Sequence, residues 1–216
     1  MAKATRPRRA QRPEVPIRLI DAALRLAALQ GWSDTTMADV AEAAKVPLAE
    51  TRRHFASKQA LLAALFARID AAMLEGLDAE TTDEPVRDRL FDVIMRRFDA
   101  MAPYKDGIRA IAREQVRDPA ALFCLAAGPM RRSIDWMLAG ARVRPWGPLQ
   151  PLQRKGLGLI FLGALRAWFR DDSQDLSKTM AAVDRGLARA DSVLRMLPVG
   201  APRQTPEAEI RAESET

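Results

Sequence analysis

The stretch from residue 35 to 66, TTMADVAEAAKVPLAETRRHFASKQALLAALF, sets three short helical signals around one tight turn and leaves little freedom in local structure. Thr36 can cap the free N–H groups of a helix, and Asp39, three residues on, is the acidic partner of a capping box. Met37, Val40, Ala41 and Ala44 then share one face, where the small alanines let a second helix cross closely. A turn at Lys45 and Val46 follows. Pro47 pre-sets the backbone for a second short helix running to about Phe55, after which Ser57 caps a longer helix beginning at Lys58. Short helix, tight turn, short helix is the geometry that places one helix in a DNA major groove.

The resemblance extends beyond this pattern. The run from Ile17 to Phe66 resembles the N-terminal domain of TetR-family transcriptional regulators, with a first helix (Leu19 to Gln30) ending in Gly31 and Trp32. Thr35, Thr36, Asp39, Val40, Ala41, Ala44, Val46, His54, Phe55, Ser57 and Lys58 stand where that family's pattern has such residues. The resemblance implies that double-stranded DNA is a partner. Thr36 and Lys58 would then lie at helix N-termini against phosphates, and Leu48, Ala49, Arg52 and Arg53 would face base edges. An arginine fork can bind guanine bidentately or pair with phosphate, and Leu48 and Ala49 could read a thymine methyl. His54, the single histidine, joins the DNA-binding positions; by its own chemistry it reads as a packing and hydrogen-bonding residue at a helix end. The chain departs from the family pattern at Lys45, where glycine is usual, and at Pro47 and Glu50, which replace phosphate-holding hydroxyls. It also departs at Thr51, which replaces a buried leucine, and at Arg52, which replaces a tyrosine.

Charge is unevenly spread. Of the formal net charge of +6, Lys3, Arg6, Arg8, Arg9 and Arg12 supply five units, whereas seven basic and seven acidic residues cancel between Pro13 and Asp70. Electrostatic attraction to DNA would come chiefly from residues 1–13, read as a disordered basic arm able to track a backbone or enter a minor groove. The same composition suits a solubilising tail.

With 216 residues, 48% of them hydrophobic, the chain can build one small and one larger domain. No run approaches the ~18 apolar residues of a membrane span, and the N-terminal charges precede no hydrophobic leader, so a cytoplasmic protein is expected. One cysteine, Cys124, excludes an internal disulfide and reads as a buried thiol. One histidine and one cysteine make no zinc cluster, and no phosphate loop or nucleophile elbow is present. No catalytic residue, metal site or cofactor is expected, and the chain does not read as an enzyme.

The fold class read from these patterns is all-α. Residues 14–66 form a three-helix DNA-binding domain with its helix-turn-helix, joined by a long helix to a ligand-binding and dimerisation domain over residues 67–197; residues 198–216 read as a disordered tail. The joining helix spans Lys58 to about Ala79, with Leu61, Leu62, Leu65, Phe66, Ile69 and Met73 as its apolar stripe. Thr82 or Asp83 caps the next helix, with Pro85 in its first turn. Helices follow at about Pro85–Met101, Lys105–Val116, Pro119–Arg142, Leu149–Arg170 and Gln174–Leu197. Phe91, Met95, Phe98, Met101, Phe123, Trp136, Met137 and Phe161 are soft, large residues that line either a pocket for a hydrophobic small molecule or lipid, or simply the core. In GLGLIFLGALRAWF, Gly156, Gly163 and Ala167 share a face that would admit a second copy, giving a homodimer.

A second resemblance lies near the C-terminus. Trp168, Asp171, Ser173, Asp175 and Thr179, followed by Asp184 and Arg185, resemble a signature of the lipid-binding accessory proteins of ubiquinone biosynthesis, which share the TetR-like fold. That resemblance implies lipid binding and a surface for a partner enzyme. Taken residue by residue, Asp172 or Ser173 is a helix cap, Trp168 covers a helix end, and Asp184 with Arg185 is a surface pair. Two functions follow: a ligand-responsive dimeric repressor, or a lipid- or partner-binding protein on the same scaffold that does not read DNA.

Overall fold

A computed structural model describes residues 14–77, 84–145 and 147–196. The basic arm, the Thr82 and Asp83 caps and the tail expected from residue 198 lie outside the described residues. The fold is all-α, with no strand among the described residues. In chain order the helices are α1 (Val15–Gln30), α2 (Met37–Ala43), α3 (Leu48–His54), α4 (Lys58–Leu74), α5 (Val86–Met101), α6 (Lys105–Gln115), α7 (Pro119–Leu125), α8 (Arg131–Gly140), α9 (Gln150–Trp168) and α10 (Ser177–Met196). The chain divides into two compact units, Met1–Ala79 with Arg96–Met137, and Glu80–Met95 with Leu138–Thr216. The boundary at residue 66 falls inside α4, and α6, α7 and most of α8 belong with the first unit.

In the first unit, α1 packs on α2, α4 and α6. Its Leu19, Ala23, Leu24 and Ala27 are buried, as are Val40, Ala41 and Ala44 of the α2 segment and Leu61, Leu62, Leu65, Ile69 and Met73 of α4. α1 and α6 approach closely: a Cβ built on Gly107 would lie 2.7 Å from the Leu24 carbonyl oxygen. In the second unit α9 packs along α10, where a Cβ on Gly186 would lie 2.9 Å from Ile160 Cγ2.

Several helix ends differ from the sequence expectation. α4 stops at Leu74, because Gly76 takes a left-handed conformation (φ 77°) that turns the chain out of the helix. The segment expected as one helix from Pro119 to Arg142 is interrupted by a π-helical turn at Ala126–Met130. Pro129 lies in that turn; it has no N–H to donate and its ring displaces the preceding carbonyl, so the ladder widens. α10 starts at Ser177, not near Gln174, because residues 171–176 form a loop closed by Asp171. Cys124, expected to be buried, is exposed, since no residue of the short α7 is buried.

Candidate nucleic-acid interface

The helix-turn-helix is built by local bonds. The Thr36 hydroxyl accepts from Asp39 N (3.1 Å) and the Asp39 carboxylate accepts from Thr36 N (2.8 Å), which closes the capping box and holds the Asp39 carboxyl below its ordinary range. At the turn, Lys45 takes φ 54°, the left-handed backbone that glycine adopts freely, and its N–H donates to Glu42 O (2.9 Å). Val46 N returns to Ala41 O (2.9 Å), and Arg18 Nη1 of α1 donates to Ala44 O (3.3 Å), so the Ala41, Glu42 and Ala44 carbonyls at the end of α2 each have a donor.

α3 is anchored by its inner face. Thr51 is fully buried, with its hydroxyl donating to Pro47 O (3.2 Å), and Phe55 closes the helix from below. The buried leucine of the family pattern is thus replaced by a hydroxyl that carries its own acceptor. Glu50 sits in the first turn and Arg52, Arg53 and His54 in the last, each on the side favoured by the helix dipole. Leu48, Ala49, Arg52, Arg53 and His54 are all exposed. Neither Arg52 nor Arg53 has a hydrogen bond or ion pair among the described residues. His54 is not the packing residue its chemistry suggested; Phe55 takes the inward position and leaves the imidazole outside.

Ser57 accepts from Ala60 N (3.2 Å) and caps α4. Lys58, expected against phosphate, turns its ammonium onto the α1–α2 loop: it donates to the carbonyls of Trp32 and Thr35 (2.8 Å to the latter) and lies 4.7 Å from the centroid of the Trp32 ring. Burial pulls its pKa down, opposed by Glu114 and Asp34. The same loop is gripped by Glu114 of α6, whose carboxylate accepts from Trp32 N (2.8 Å), Ser33 N (2.6 Å) and Ser33 Oγ (2.6 Å). The Ser33 hydroxyl bond is the main reason the Glu114 carboxyl lies below its usual range. Sequence reading missed Glu114. Nothing in its surroundings marks it, for its partners stand 81 and 82 residues earlier.

A family model for bacterial regulatory proteins of the TetR family matches residues 19–65, from within α1 through α2, the turn and α3 to the first half of α4. The chain is similar to a TetR transcriptional regulator of Nitrosomonas europaea, with 25% identity, coverage of 82% of this chain and 98% of that one, and a TM-score of 0.67.

This chain carries a TetR-family N-terminal domain over residues 19–65.

It is a DNA-binding transcriptional regulator, all-α throughout its described residues. Two further solved structures share the fold: a TetR regulator of Rhodococcus sp. RHA1 (20% identity, 86% and 97% coverage, TM-score 0.58) and the repressor FadR of Thermus thermophilus, solved with lauroyl-CoA (23% identity, 87% and 97% coverage, TM-score 0.53). No curated protein sequence matches the chain. Among the described residues no helix is long and apolar enough to cross a membrane, and no group of His, Cys, Asp and Glu side chains could hold a metal.

The aromatic and methionine residues expected to line a pocket are dispersed in the structure. Phe98, Met101, Met137 and Phe161 are buried core; Phe91 and Met95 are partly buried, and Phe123 is 71% exposed. Trp136 alone of the eight lines a recess described below. A different groove, of 780 Å³, opens in the second unit along α9 and α10. It is lined by Leu152, Gly156, Leu159 and Gly163 of α9 and by Arg185 and Val193 of α10. Leu152, Leu159 and Val193 are each more than half exposed, and Cβ atoms on Gly156 and Gly163 would meet nothing within 4 Å.

The C-terminal signature residues have local tasks. Asp171 is buried, and its carboxylate accepts from Ser173 N (3.3 Å), the Ser173 hydroxyl, Thr179 N (2.8 Å) and Thr179 Oγ1 (2.8 Å). Burial pushes its pKa up, and these four bonds together outweigh it, leaving the carboxyl well below the usual range. Ser173 Oγ and Asp175 Oδ1 both accept from Ser177 N and cap α10. Trp168 is fully buried at the end of α9, its ring 5.4 Å from that of Phe169. Asp184 and Arg185 are not a pair: neighbours on a helix point about 100° apart. Asp184 instead binds Arg87 of α5 (2.6 Å), and Arg185 faces the groove.

Proposed function

We propose that this regulator is a ligand-responsive repressor that acts in the cytoplasm as a homodimer on double-stranded DNA. The observation that carries the reading is the outer face of α3, where Leu48, Ala49, Arg52 and Arg53 stand exposed on a helix fixed from within by Thr51 and Phe55. Two guanidinium groups with no hydrogen-bond or ion-pair partner among the described residues are available for base edges or phosphates. The first turns of α2, after Thr36, and of α4 supply N–H groups for phosphates, whereas the Lys58 ammonium acts by shaping the loop before α2. The basic arm adds a sequence-independent attraction.

The apolar α9–α10 face supports the dimer. Its glycines leave room for a second copy of the same two helices, and a two-fold pair matches a palindromic operator. Leu159→Glu would place a charge in that interface and is expected to give a monomer by analytical ultracentrifugation.

The functional test is binding to the upstream intergenic DNA against random DNA of equal length across a salt series. Selective binding is expected, with Arg52→Ala and Arg53→Ala each lowering the preference by roughly 1–3 kcal/mol for a bidentate contact. Deleting residues 1–12 is expected to weaken both DNAs alike and flatten the salt slope. Equal, salt-labile binding to both DNAs would favour the lipid- or partner-binding reading of the C-terminal signature, to be checked by native mass spectrometry for a co-purified lipid.

A further inference from the structure

A recess of 400 Å³ lies within the first unit, between α4 and the π-turn and start of α8. The alanines of the outer face of α4 open it, Phe66 and Leu74 form one wall, and Pro129, Arg132 and Trp136 form the other. Three features set it apart from an ordinary surface dent. Trp136 leaves its indole 51% exposed at the wall, where a core residue would bury it. The opposite wall bends at Pro129 through a π-turn, a distortion that widens the gap beside α4.

The third feature is the floor. Asp70 is buried, and its two oxygens accept from Arg97 Nη1 and from Ser133 Oγ (3.0 Å), while Arg97 Nη2 also donates to Ser133 Oγ (3.0 Å). Arg97 is buried as well and lies 5.8 Å from the centroid of the Phe66 ring. Ion pairing with Arg97 cancels the Asp70 charge, so the floor is polar, rigid and close to neutral. Arg132 at the rim is exposed and has no ion pair or hydrogen bond among the described residues. The neighbouring Arg131 is paired with Asp135 at 3.5 Å. The local balance therefore leaves one cation over two flat aromatic walls.

We infer that this recess binds a planar aromatic carboxylate, with its ring between Phe66 and Trp136 and its carboxylate on Arg132. The volume lies in the roughly 300–1,000 Å³ range of small-molecule sites. Aromatic walls favour a flat ring over a branched aliphatic body, and the guanidinium selects an anion over its neutral analogue. The wall is α4 itself, the helix that leads directly out of α3, so an occupant bears on the element that carries the DNA-binding segment. That regulatory role rests on the repressor reading above; the binding site does not.

The test is isothermal titration of the full chain with 2-naphthoate and, separately, with neutral 2-naphthamide. Naphthoate is expected to bind at least tenfold more tightly than the amide. Arg132→Gln should erase that difference, and Ala67→Leu, at an exposed position lining the recess, should abolish binding of both. Absence of binding, equal affinity for acid and amide, or undiminished binding to either variant would overturn the inference. Circular dichroism of each variant checks that it is folded. DNA binding measured without naphthoate reports on the repressor reading alone, so failure of one is distinguishable from failure of the other.

Discussion

Gly107→Ala tests whether α6 is locked onto α1 as closely as the structure shows. The added methyl would sit 2.7 Å from Leu24 O, 2.9 Å from Leu24 Cβ and 3.0 Å from Leu24 Cα. Two of these neighbours are backbone, which cannot rotate aside. Reaching an ordinary contact of 3.4 Å requires the helices to part by about 0.7 Å, the difference between 3.4 and 2.7. Parting them loosens the buried contacts of Leu24, Ala27 and Ile111, and overpacking of this kind costs about 1–3 kcal/mol. Against it, alanine gains about 0.5–1 kcal/mol over glycine in a helix. The net expectation is a loss of up to about 2.5 kcal/mol, a fall of up to about 10 °C in Tm for a chain of this size. Gly158→Ala is the control, because its Cβ meets nothing within 4 Å; the helix gain should appear alone, as a rise of about 1–4 °C. Thermal unfolding followed by far-ultraviolet circular dichroism reads both. If Gly107→Ala is as stable as Gly158→Ala, the α1–α6 contact is not the tight junction described, and the grip of Glu114 on the loop before α2 loses its support.

Lys45→Gly should raise stability by up to about 1 kcal/mol, since it relieves a left-handed backbone at φ 54°; an unchanged or lower Tm would remove the strain argument. Glu114→Gln should lose about 1–2 kcal/mol, because two loop N–H groups and the Ser33 hydroxyl lose a charged acceptor that is partly exposed to water. The folded pKa of Glu114 is depressed below 4.5, so its contribution is present above that value and is lost as pH falls through the folded pKa; urea midpoints of wild type and variant should converge in acid. Asp171→Asn should cost about 2–3 kcal/mol, as an amide cannot accept all four bonds and would turn its NH₂ toward a donor. A midpoint unchanged from wild type would show that the α9–α10 loop closes without it.

The short-range architecture was legible in the sequence because the interactions that set it span three or four residues. The Thr36–Asp39 box, the Ser57 cap, the turn at Lys45 and the ends of α2 and α3 all follow from residues adjacent in the chain. The exposed face of α3 follows from period as well: with Thr51 and Phe55 inward, Arg52 and Arg53 must point out. The helices of the second part were found by pattern, with errors where one residue overrode the period, at Gly76, at Pro129 and in the loop around Asp171.

Tertiary structure decided what each long side chain does. Lys58 reads equally as a phosphate ligand or a loop clamp until Trp32 and Thr35 are brought to its ammonium. Glu114, Arg97 and Ser133 look like ordinary helix-surface or helix-interior residues in sequence, and only folding sets them beside Ser33 and Asp70. Phe123 and Cys124 sit in an apolar run that reads as core, yet α7 lies at the surface. Hydrophobic character and charge are properties of a residue. Burial and partnership are properties of two segments meeting, and for pairs some eighty residues apart the sequence carries no local signal of that meeting.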